Sequence, residues 1–490
     1  MASRKGSVPV RYTSGQSTEF IFIHALFVLV CLLAGLKNSA VMSSTKVRKK
    51  KRRTALNIAE PDPRNLPVDP RVHKLVSPYY HALGGYLKQT RRIFPGAAVM
   101  VRDNNEVVHV ECYGYANLET EQKLTPNTVF DLGSLSKQFT AFAALWLFDE
   151  VELQRPLSYF FAGFPRYADE ISVRDLIHHL SALPDYMALH GASRRVPVNW
   201  YDEALRKPDG WYPQMESRRA REFTNKDVVR WIASQKLLPR KAGSEFEYSN
   251  SGYVLLAELV ERKTGKRLAD VLKTMIFEPL GMKHTYMFDE ARGFPKDAPQ
   301  LVNHARCYNR VPGKGFVPVG YTRLNFIYGD GNVHSTIIDL VKWEVALHRL
   351  DYHTMCSDPE IGYSELKKVR DLMWTPIKTG NKVVNYSAGW NLLFERKKVR
   401  EPGRKVARRF ESSAEFHRGE WLAWRSYIAR ATRGVVRKDN SIDPKTWQSL
   451  GIVVLTNNKQ FNACAVLQKI SRVYWGNLKK DNIMNRFSCV

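Results

Sequence analysis

The chain has 490 residues, of which 44% are hydrophobic and 25% are charged. These proportions are typical of a globular protein and exclude wholesale disorder and a collagen-like repeat. The 75 Lys and Arg residues outnumber the 48 Asp and Glu residues, and the formal net charge of +27 predicts attraction to an anionic surface. Lipid, nucleic acid and a polyanionic cell wall all offer such a surface, so charge alone does not choose among them.

The N-terminal segment, residues 1–53, is predicted to be a membrane anchor or a signal sequence. Residues 20–36 (FIFIHALFVLVCLLAGL) are apolar apart from one histidine, and their 17-residue length lies at the lower limit for a helix that spans a bilayer. The basic run at residues 46–53 suits a juxtamembrane segment held against anionic lipid better than a nuclear-localisation or nucleic-acid-binding signal. We therefore expect a membrane-associated protein with an uncleaved anchor. A cleaved signal, which would give a secreted protein, and an organelle transit sequence remain open.

Residues 54–75 contain four prolines and little hydrophobic periodicity, so they are predicted to be a linker. The predicted globular domain follows at residues 76–475, and residues 476–490 form a C-terminal tail. The domain contains no recognisable internal repeat.

Strand-like segments stand near both ends of this domain. The segment from Ala97 to Tyr115 predicts two strands around a turn at Asp103-Asn104-Asn105, and Ile452 to Thr456 predicts a buried strand. Long helical segments lie between them, notably Gln138–Glu150 and Gly252–Thr264. Strands at both ends with helices between them predict an α/β fold whose two sheet parts meet in space, with a helical insertion.

Two further patterns concern the surface and the cysteines. The basic, polar segments at residues 191–222, 396–409 and 430–447 are predicted to be solvated surface loops, with an anion-contacting face as the alternative. The six cysteines are scattered, and none forms a C-x-x-C pair or stands with His at zinc-ligand spacing. This distribution indicates neither a zinc site nor a disulfide framework.

The segment FDLGSLSKQFTA, residues 130–141, carries the strongest chemical signal. Ser134 and Lys137 are three residues apart, so on a helix they share one face. Gly133 lets the chain turn tightly into that helix, and the mostly apolar residues 138–148 predict its burial. Free N–H groups at a helix start favour a developing anion, and a desolvated lysine can lose its proton and activate a serine hydroxyl.

The Ser-x-x-Lys spacing also occurs at Ser43–Lys46 and Ser364–Lys367, so the surrounding sequence must decide. Further along the chain, Tyr248-Ser249-Asn250 leads into a helical segment, and His417-Arg418-Gly419 follows it. In this order the three motifs resemble those of the serine β-lactamase and penicillin-binding-protein superfamily. The third motif resembles the His-x-Gly of esterase-like and peptidase-like branches, which replaces Lys-Thr-Gly.

Flanking stretches resemble the class C β-lactamase branch of the same superfamily. The likeness covers about residues 76–475, and the flanks that carry it are Ile171–Tyr186, Phe277–Met282, Gly329–Trp343 and Tyr386–Trp390. The resemblance implies a β-lactamase/transpeptidase-like α/β fold: an antiparallel sheet flanked by helices, with an inserted, mainly helical subdomain at about residues 160–380.

The resemblance also implies roles for the motif residues. Ser134 would attack a carbonyl and form an acyl-enzyme, while Lys137 and Tyr248 would share the proton transfers. Asn250 would orient Lys137 or the substrate amide, and His417 would contact a polar group or carboxylate of the substrate. The backbone N–H groups of Ser134 and of Glu420, the residue after Gly419, would form the oxyanion hole.

The sequence departs from the family pattern at two places. Ser181-Ala182-Leu183 stands where the family usually has Ser-Gly-Leu. After Gly419 the chain continues as Glu420-Trp421-Leu422-Ala423-Trp424, where the family tends to place Gly and then Pro-Gly-Phe. A carboxylate and an indole here would narrow the cleft or repel anionic substrates, so a peptidase or esterase is favoured over an antibiotic-hydrolysing β-lactamase.

We therefore expect a serine hydrolase that acts on a small-molecule or peptide substrate. No metal or organic cofactor is implied, because protein groups supply the nucleophile, the base and the oxyanion donors. The alternative is a non-catalytic or weakly active scaffold or peptide-binding protein at a membrane. Nucleic-acid binding rests on net charge alone, without a recognised binding module, and is not favoured.

Overall fold

The computed structural model describes a set of residues that begins at residue 62 and ends at residue 483. These residues are 62, 65–85, 93–188, 223–235, 238, 240–287, 303–319, 324, 326–355, 363–399, 408–438, 440–476 and 483. The predicted anchor at residues 20–36, the basic run at 46–53 and the basic segment 191–222 lie outside this set. Within the described set, no helix has both the length and the apolar character that crossing a membrane requires.

A seven-stranded antiparallel sheet forms the centre of the fold. The strands in chain order are β1 (Ala97–Asp103), β2 (Glu106–Tyr113), β3 (Tyr115–Asn117), β4 (Gln122–Lys123), β5 (Phe130–Asp131), β6 (Tyr286–Met287), β7 (Tyr308–Val311), β8 (Gly315–Pro318), β9 (Val333–Ser335), β10 (Ile377–Thr379), β11 (Lys382–Val384), β12 (Tyr386–Ser387), β13 (Trp390–Val399), β14 (Arg408–Trp421), β15 (Trp424–Val435) and β16 (Gln448–Thr456). The central sheet has the order β12-β13-β14-β15-β16-β1-β2, so strands from the two ends of the domain are neighbours. Strands β5, β9 and β6 form a small sheet of their own.

Helices pack on both faces of the central sheet. They are α1 (Pro70–Gly85), α2 (Ser136–Leu147), α3 (Glu150–Leu153), α4 (Leu157–Phe160), α5 (Val173–Ile177), α6 (Asn225–Ala233), α7 (Asn250–Thr264), α8 (Leu268–Leu272), α9 (Ile337–Met355), α10 (Tyr363–Trp374) and α11 (Ala463–Trp475). Alternate residues of β1 serve the two faces, as the twofold period of a strand requires. Val99 packs in one cluster with α1 and α11, whereas Met100 packs in the other with α2, α7 and α9.

The strands and helices predicted from the sequence are present with small shifts of their ends. The hairpin at residues 97–115 turns at Asn104 and Asn105, and the strand predicted at Ile452–Thr456 lies within β16. Helices α2 and α7 each begin two residues before the predicted start. Helix α1 begins at Pro70, so the end of the predicted linker is helical; proline suits the first turn of a helix, where its missing N–H leaves no bond unmade.

Two sequence predictions need correction. Strands β13 and β14 extend into the basic segment 396–409, and β15 extends to Val435, so these are not simple surface loops. Exposed positions on alternate residues of a strand tolerate charge, which makes such a strand resemble a loop in composition. Cys464 is disulfide-bonded, whereas Cys112 and Cys307 are free thiols; sequence spacing did not indicate that bond because proximity is set by the fold.

Candidate active site

Ser134 and Lys137 meet at the start of α2, as their spacing predicts. Ser134 lies in the short 3-10 turn Gly133–Leu135 that leads directly into the helix. The Lys137 side chain is fully buried, and its Nζ lies 3.1 Å from Ser134 Oγ. This arrangement places an amine within proton-transfer distance of a hydroxyl.

Two further oxygens hold the Lys137 amine. Nζ donates to Asn250 Oδ1 at 2.7 Å and to the backbone carbonyl oxygen of Asp330 at 2.8 Å. A neutral amine has two N–H bonds and one lone pair. If the two N–H bonds point to these two oxygens, the lone pair faces Ser134 Oγ.

Aromatic rings surround the amine on its other side. The ring centroids of Tyr248 and Tyr253 lie 5.0 and 5.5 Å from Lys137 Nζ. The Tyr248 ring stacks beside that of His417 at a centroid distance of 6.3 Å, and the Tyr386 hydroxyl lies 3.0 Å from His417 Nε2. The structure thus brings Tyr248 and His417 to the site predicted for them.

His417 is a neutral group in this environment. Burial lowers the pKa of His417 to about 3, and the positive charge that Lys137 carries whenever it is protonated acts in the same direction. Burial likewise raises the pKa of its partner Tyr386 well above the ordinary value. Any contact between His417 and a substrate therefore involves an uncharged imidazole over the physiological pH range.

Strand β14 presses directly on the turn that carries Ser134. A Cβ on Gly419 would lie 1.9 Å from the carbonyl oxygen of Leu132, and Ser426 Oγ donates to that same oxygen at 2.6 Å. A Cβ on Gly133 would lie 2.7 Å from the backbone nitrogen of Glu420. The backbone at Glu420 thus runs beside the Ser134 turn, as an oxyanion hole built from both residues requires.

A cleft that opens to solvent lies beside Ser134. Its lining includes Asp131, Gly133, Ser134, Tyr186, Met187, Asn250, Leu324, Ile327, Asp330, Gly331, Asn332, Glu420 and Trp421. Of the predicted residues, Ser134, Asn250 and Glu420 contribute to this lining, whereas Tyr248, His417 and Gly419 lie outside it.

Three carboxyl groups line the cleft although the chain as a whole is strongly basic. Burial raises the pKa of Asp131 to about 7, partly offset by the Gly133 N–H that donates to Asp131 Oδ1 at 2.7 Å. Burial also raises the pKa of Asp330, while the Lys137 charge opposes that shift. The Glu420 side chain is about half exposed and lies 3.3 Å from Arg425 Nε. In the residues that the structure describes, no cluster of three or more His, Cys, Asp or Glu side chains could hold a metal ion.

Sequence reasoning missed three residues of the site. Asp330 contacts Lys137 directly, and Asp185 and Tyr186 contact the residues that hold it, yet in the sequence all three stand only within the flanking stretches Ile171–Tyr186 and Gly329–Trp343. The signal that could have found them is that both stretches belong to the family resemblance and each contains a carboxylate without an assigned role.

Comparison with known proteins places this site in a family. Residues 82–471 match the family model described as Beta-lactamase. The chain is 26% identical over 345 residues to a penicillin-binding protein of Bacillus subtilis, a match that covers 68% of this chain and 64% of that protein. It is 30% identical over 258 residues to a D-aminopeptidase of Gluconobacter oxydans, covering 51% of this chain and 42% of that enzyme. The matched parts thus span less than two thirds of both relatives.

A solved structure shows the same fold. The octameric penicillin-binding protein homologue from Pyrococcus abyssi superposes with a TM-score of 0.55 at 22% identity. The superposition covers 84% of this chain and 79% of that one. The β-lactamase/transpeptidase-like fold expected from the motifs is therefore confirmed.

Proposed function

The chain belongs to the beta-lactamase family, and on that premise we propose that it is a serine hydrolase that cleaves an amide or ester bond through an acyl-enzyme on Ser134. One observation carries the proposal: Lys137 Nζ lies 3.1 Å from Ser134 Oγ while two other oxygens hold the same amine. A buried amine held in this way is suited to accept the serine proton.

The proposed reaction has two stages. The Ser134 hydroxyl gives its proton to Lys137 Nζ as Oγ forms a bond to the substrate carbonyl carbon. The resulting oxyanion accepts hydrogen bonds from the backbone N–H groups of Ser134 and Glu420. The leaving group departs with the proton held by Lys137 Nζ. Water then attacks the carbonyl carbon of the acyl-enzyme, the bond to Ser134 Oγ breaks, and a proton from that water returns to Oγ.

In this proposal Tyr248 shares the proton transfers, as the family resemblance implies, and its ring centroid lies 5.0 Å from Lys137 Nζ. Asn250 orients the amine through the 2.7 Å hydrogen bond at its Oδ1. The family resemblance assigns His417 a polar contact with the substrate; in the structure its uncharged ring lies buried beside Tyr248, outside the cleft lining. Gly419 acts by its lack of a side chain, because it lets β14 approach the turn.

Among hydrolases of this type, we favour a peptidase or an esterase. The His-x-Gly motif at 417–419 and the half-exposed Glu420 carboxylate in the cleft lining support this choice over hydrolysis of anionic β-lactams. The similarity to a D-aminopeptidase supports peptide or amide substrates, although the match covers only 42% of that enzyme.

The test is intact-mass analysis of the full chain after incubation with a fluorophosphonate and, separately, with an activated ester. We expect one covalent adduct in the parent and none in Ser134→Ala. Ser234→Ala is the matched control, because Ser234 is exposed and its Oγ makes only local contacts, donating to the Trp231 carbonyl at 2.7 Å and accepting from Gln235 Nε2 at 3.4 Å. An adduct that persists in Ser134→Ala would overturn the assigned nucleophile, and no adduct in any variant would favour a non-catalytic scaffold or peptide-binding protein.

We also propose that residues 20–36 and the basic run 46–53 associate the protein with anionic membranes. Flotation of the full chain with vesicles containing phosphatidylserine tests this. Replacing the Lys and Arg residues at 46–53 by Gln should weaken association at low salt. Equal flotation of parent and variant would contradict the role of the basic run.

A further inference from the structure

The two residues whose oxygens hold Lys137 Nζ, Asn250 and Asp330, are themselves held by two consecutive residues. Asp185 Oδ2 accepts from both the backbone N and the side-chain Nδ2 of Asn250, at 3.0 and 2.9 Å. The Tyr186 hydroxyl donates to Asp330 Oδ2 at 2.9 Å. One dipeptide therefore contacts both residues that contact the amine.

Asp185 determines which way the Asn250 amide points. A carboxylate only accepts hydrogen bonds, so the Asn250 side chain must turn its NH2 group toward Asp185 and its Oδ1 toward Lys137. In the opposite orientation, the NH2 group would face Nζ, and the carboxylate would face a carbonyl oxygen. The first of these contacts would place two hydrogen-bond donors together, and the second would place two acceptors together. Asp185 therefore excludes the orientation of the Asn250 amide in which Lys137 loses an acceptor.

Tyr186 fixes the loop that supplies the second acceptor. Burial raises the pKa of Tyr186 well above its ordinary value, so its hydroxyl keeps its proton and donates to Asp330. The backbone carbonyl of that same Asp330 takes the second Lys137 N–H. Thr140 Oγ1 donates to the carbonyl of neighbouring Gly329 at 2.8 Å, which ties the loop to α2 as well.

Hydrogen bonds to Ser251 at the start of α7 hold the Asp185–Tyr186 dipeptide in place. Ser251 Oγ donates to the Pro184 carbonyl at 2.7 Å and accepts from the Tyr186 N–H at 2.9 Å. Asp185 Oδ1 accepts from the Met187 N–H at 2.9 Å. The segment is thereby attached to α7 one residue after Asn250, so it does not shift independently of the amide it orients.

We propose that Asp185 and Tyr186 are positioning residues that together hold Lys137 in the geometry it needs to take the Ser134 proton. This inference rests on the proposed function. The two residues act through different contacts: Asp185 acts through Asn250, and Tyr186 acts through Asp330. Loss of either contact leaves the amine with one fixed acceptor and lets its lone pair turn away from Ser134 Oγ.

The experiment measures the single-turnover rate constant of fluorophosphonate labelling in the full chain by intact mass, together with kcat and KM for an activated ester. The variants are Asp185→Ala, Tyr186→Phe and the two combined. We expect each single variant to lower the labelling rate constant by about tenfold or more, with KM nearly unchanged, and the double variant to lower it further. Matched controls are Asp149→Ala, which removes a helix cap away from the site, and Tyr167→Phe, which removes a hydroxyl bound to the Ile232 carbonyl.

The labelling rate constant distinguishes a positioning role from an effect on folding. A merely structural loss lowers the fraction of protein that labels but leaves unchanged the rate constant of the fraction that does. Asp185→Asn retains one oxygen that can accept from Asn250, but its NH2 group is a donor, so it should recover only part of the rate lost in Asp185→Ala. Tyr186→Phe keeps the shape of the ring and remains informative if Asp185→Ala fails to fold.

The outcomes distinguish the two proposals. Labelling of the parent at Ser134, with rate constants for Asp185→Ala and Tyr186→Phe equal to the parent's, would overturn the positioning role and leave the hydrolase intact. No labelling of the parent would instead remove the proposed function on which the inference rests.

Discussion

Gly133 and Glu420 touch through their backbones, although they are far apart in sequence. Gly133 has a φ of +51°, and a Cβ placed on it would lie 2.7 Å from the Glu420 nitrogen and 2.9 Å from its carbonyl carbon. The nucleophile turn and the end of β14 therefore form a single structural unit. A change that moves this turn away from β14 therefore also moves apart the two N–H groups proposed to hold the oxyanion.

Gly133→Ala is expected to abolish labelling of Ser134 by a fluorophosphonate. An added methyl group would force the turn away from Glu420, and the left-handed backbone conformation adds strain of about 1 kcal/mol. The control is Gly265→Ala: Gly265 has a φ of +65° at the end of α7, but a Cβ there would meet nothing within 4 Å. Both variants thus carry the strain of a left-handed backbone, but only Gly133→Ala places a methyl group against the backbone of Glu420.

Labelling rate constants and urea unfolding of both variants check this prediction. Gly265→Ala should label at the parent's rate and lose only a small amount of stability. If Gly133→Ala labelled as fast as Gly265→Ala, close contact between the turn and β14 would not be needed for acylation.

Asp131→Asn is expected to change how stability depends on pH. Burial raises the pKa of Asp131 to about 7, whereas the carboxyl of an unfolded chain titrates near the ordinary value of 3.8. Between these values the folded state holds a proton that the unfolded state lacks, so this group's contribution to stability falls as pH rises, by up to about 1.4 kcal/mol per pH unit. The asparagine side chain does not titrate, so the stability of the Asp131→Asn variant relative to the parent should rise from about pH 4 to 7 and then level off.

Urea unfolding of both proteins at several pH values between about 4 and 9 measures the difference. The neighbouring groups Asp330 and His334 are present in both proteins, so the difference isolates Asp131. A constant difference across this range would show that Asp131 titrates normally.

The sequence predicted the parts of the site that lie in short motifs with local geometry. Ser134 and Lys137 meet because three residues make most of a helical turn, and this needs no tertiary information. The order of the motifs also predicted that Asn250 and Gly419 lie near Ser134, and in the structure Asn250 contacts Lys137 while Gly419 packs against the turn that carries Ser134. Asp185 and Asp330 could not be found this way, because their contacts with Asn250 and Lys137 cross 65 and 193 residues of chain.

The sequence also did not predict which charged residues are buried. Arg430 falls in a segment predicted to be a surface loop, yet it is fully buried with Glu344 beneath the central sheet. A basic residue in a polar segment is normally solvated, and only the fold supplies the carboxylates that make its burial tolerable.

Glu420→Gln is expected to improve turnover of substrates that carry a negative charge. The half-exposed Glu420 carboxylate lines the cleft, so removing its charge lessens repulsion near the reacting carbonyl. We predict that KM for a carboxylate-bearing ester falls severalfold, while KM for a neutral ester changes little. Glu411→Gln, on the same strand and paired with Arg396 at 3.0 Å, is the control and should alter neither value. A parallel change for both esters would assign the effect to shape instead of charge.

Glu344→Gln is expected to destabilise the fold strongly without changing the labelling rate constant of the folded fraction. Glu344 pairs with Arg102 at 2.7 Å and with Arg430 at 3.5 Å, and all three side chains are fully buried. Burial raises the pKa of Glu344, but the two guanidinium groups outweigh it and lower the pKa, so the carboxylate is charged in the folded state. Without it, two buried cations lose their closest counter-charge, which costs about 3–5 kcal/mol of unfolding free energy.

Urea unfolding at neutral pH measures the loss of unfolding free energy in Glu344→Gln, and the same substitution in an exposed ion pair serves as the control. Glu278 and Lys273 lie 3.6 Å apart with more than half of each side chain exposed, so Glu278→Gln should cost at most about 1 kcal/mol. Because the lowered pKa stabilises the fold only while Glu344 is ionised, the parent's advantage over Glu344→Gln should shrink as pH falls below the ordinary glutamate range. Equal losses in the two variants would mean that water reaches the Arg102–Glu344–Arg430 cluster and screens it as it screens a surface pair.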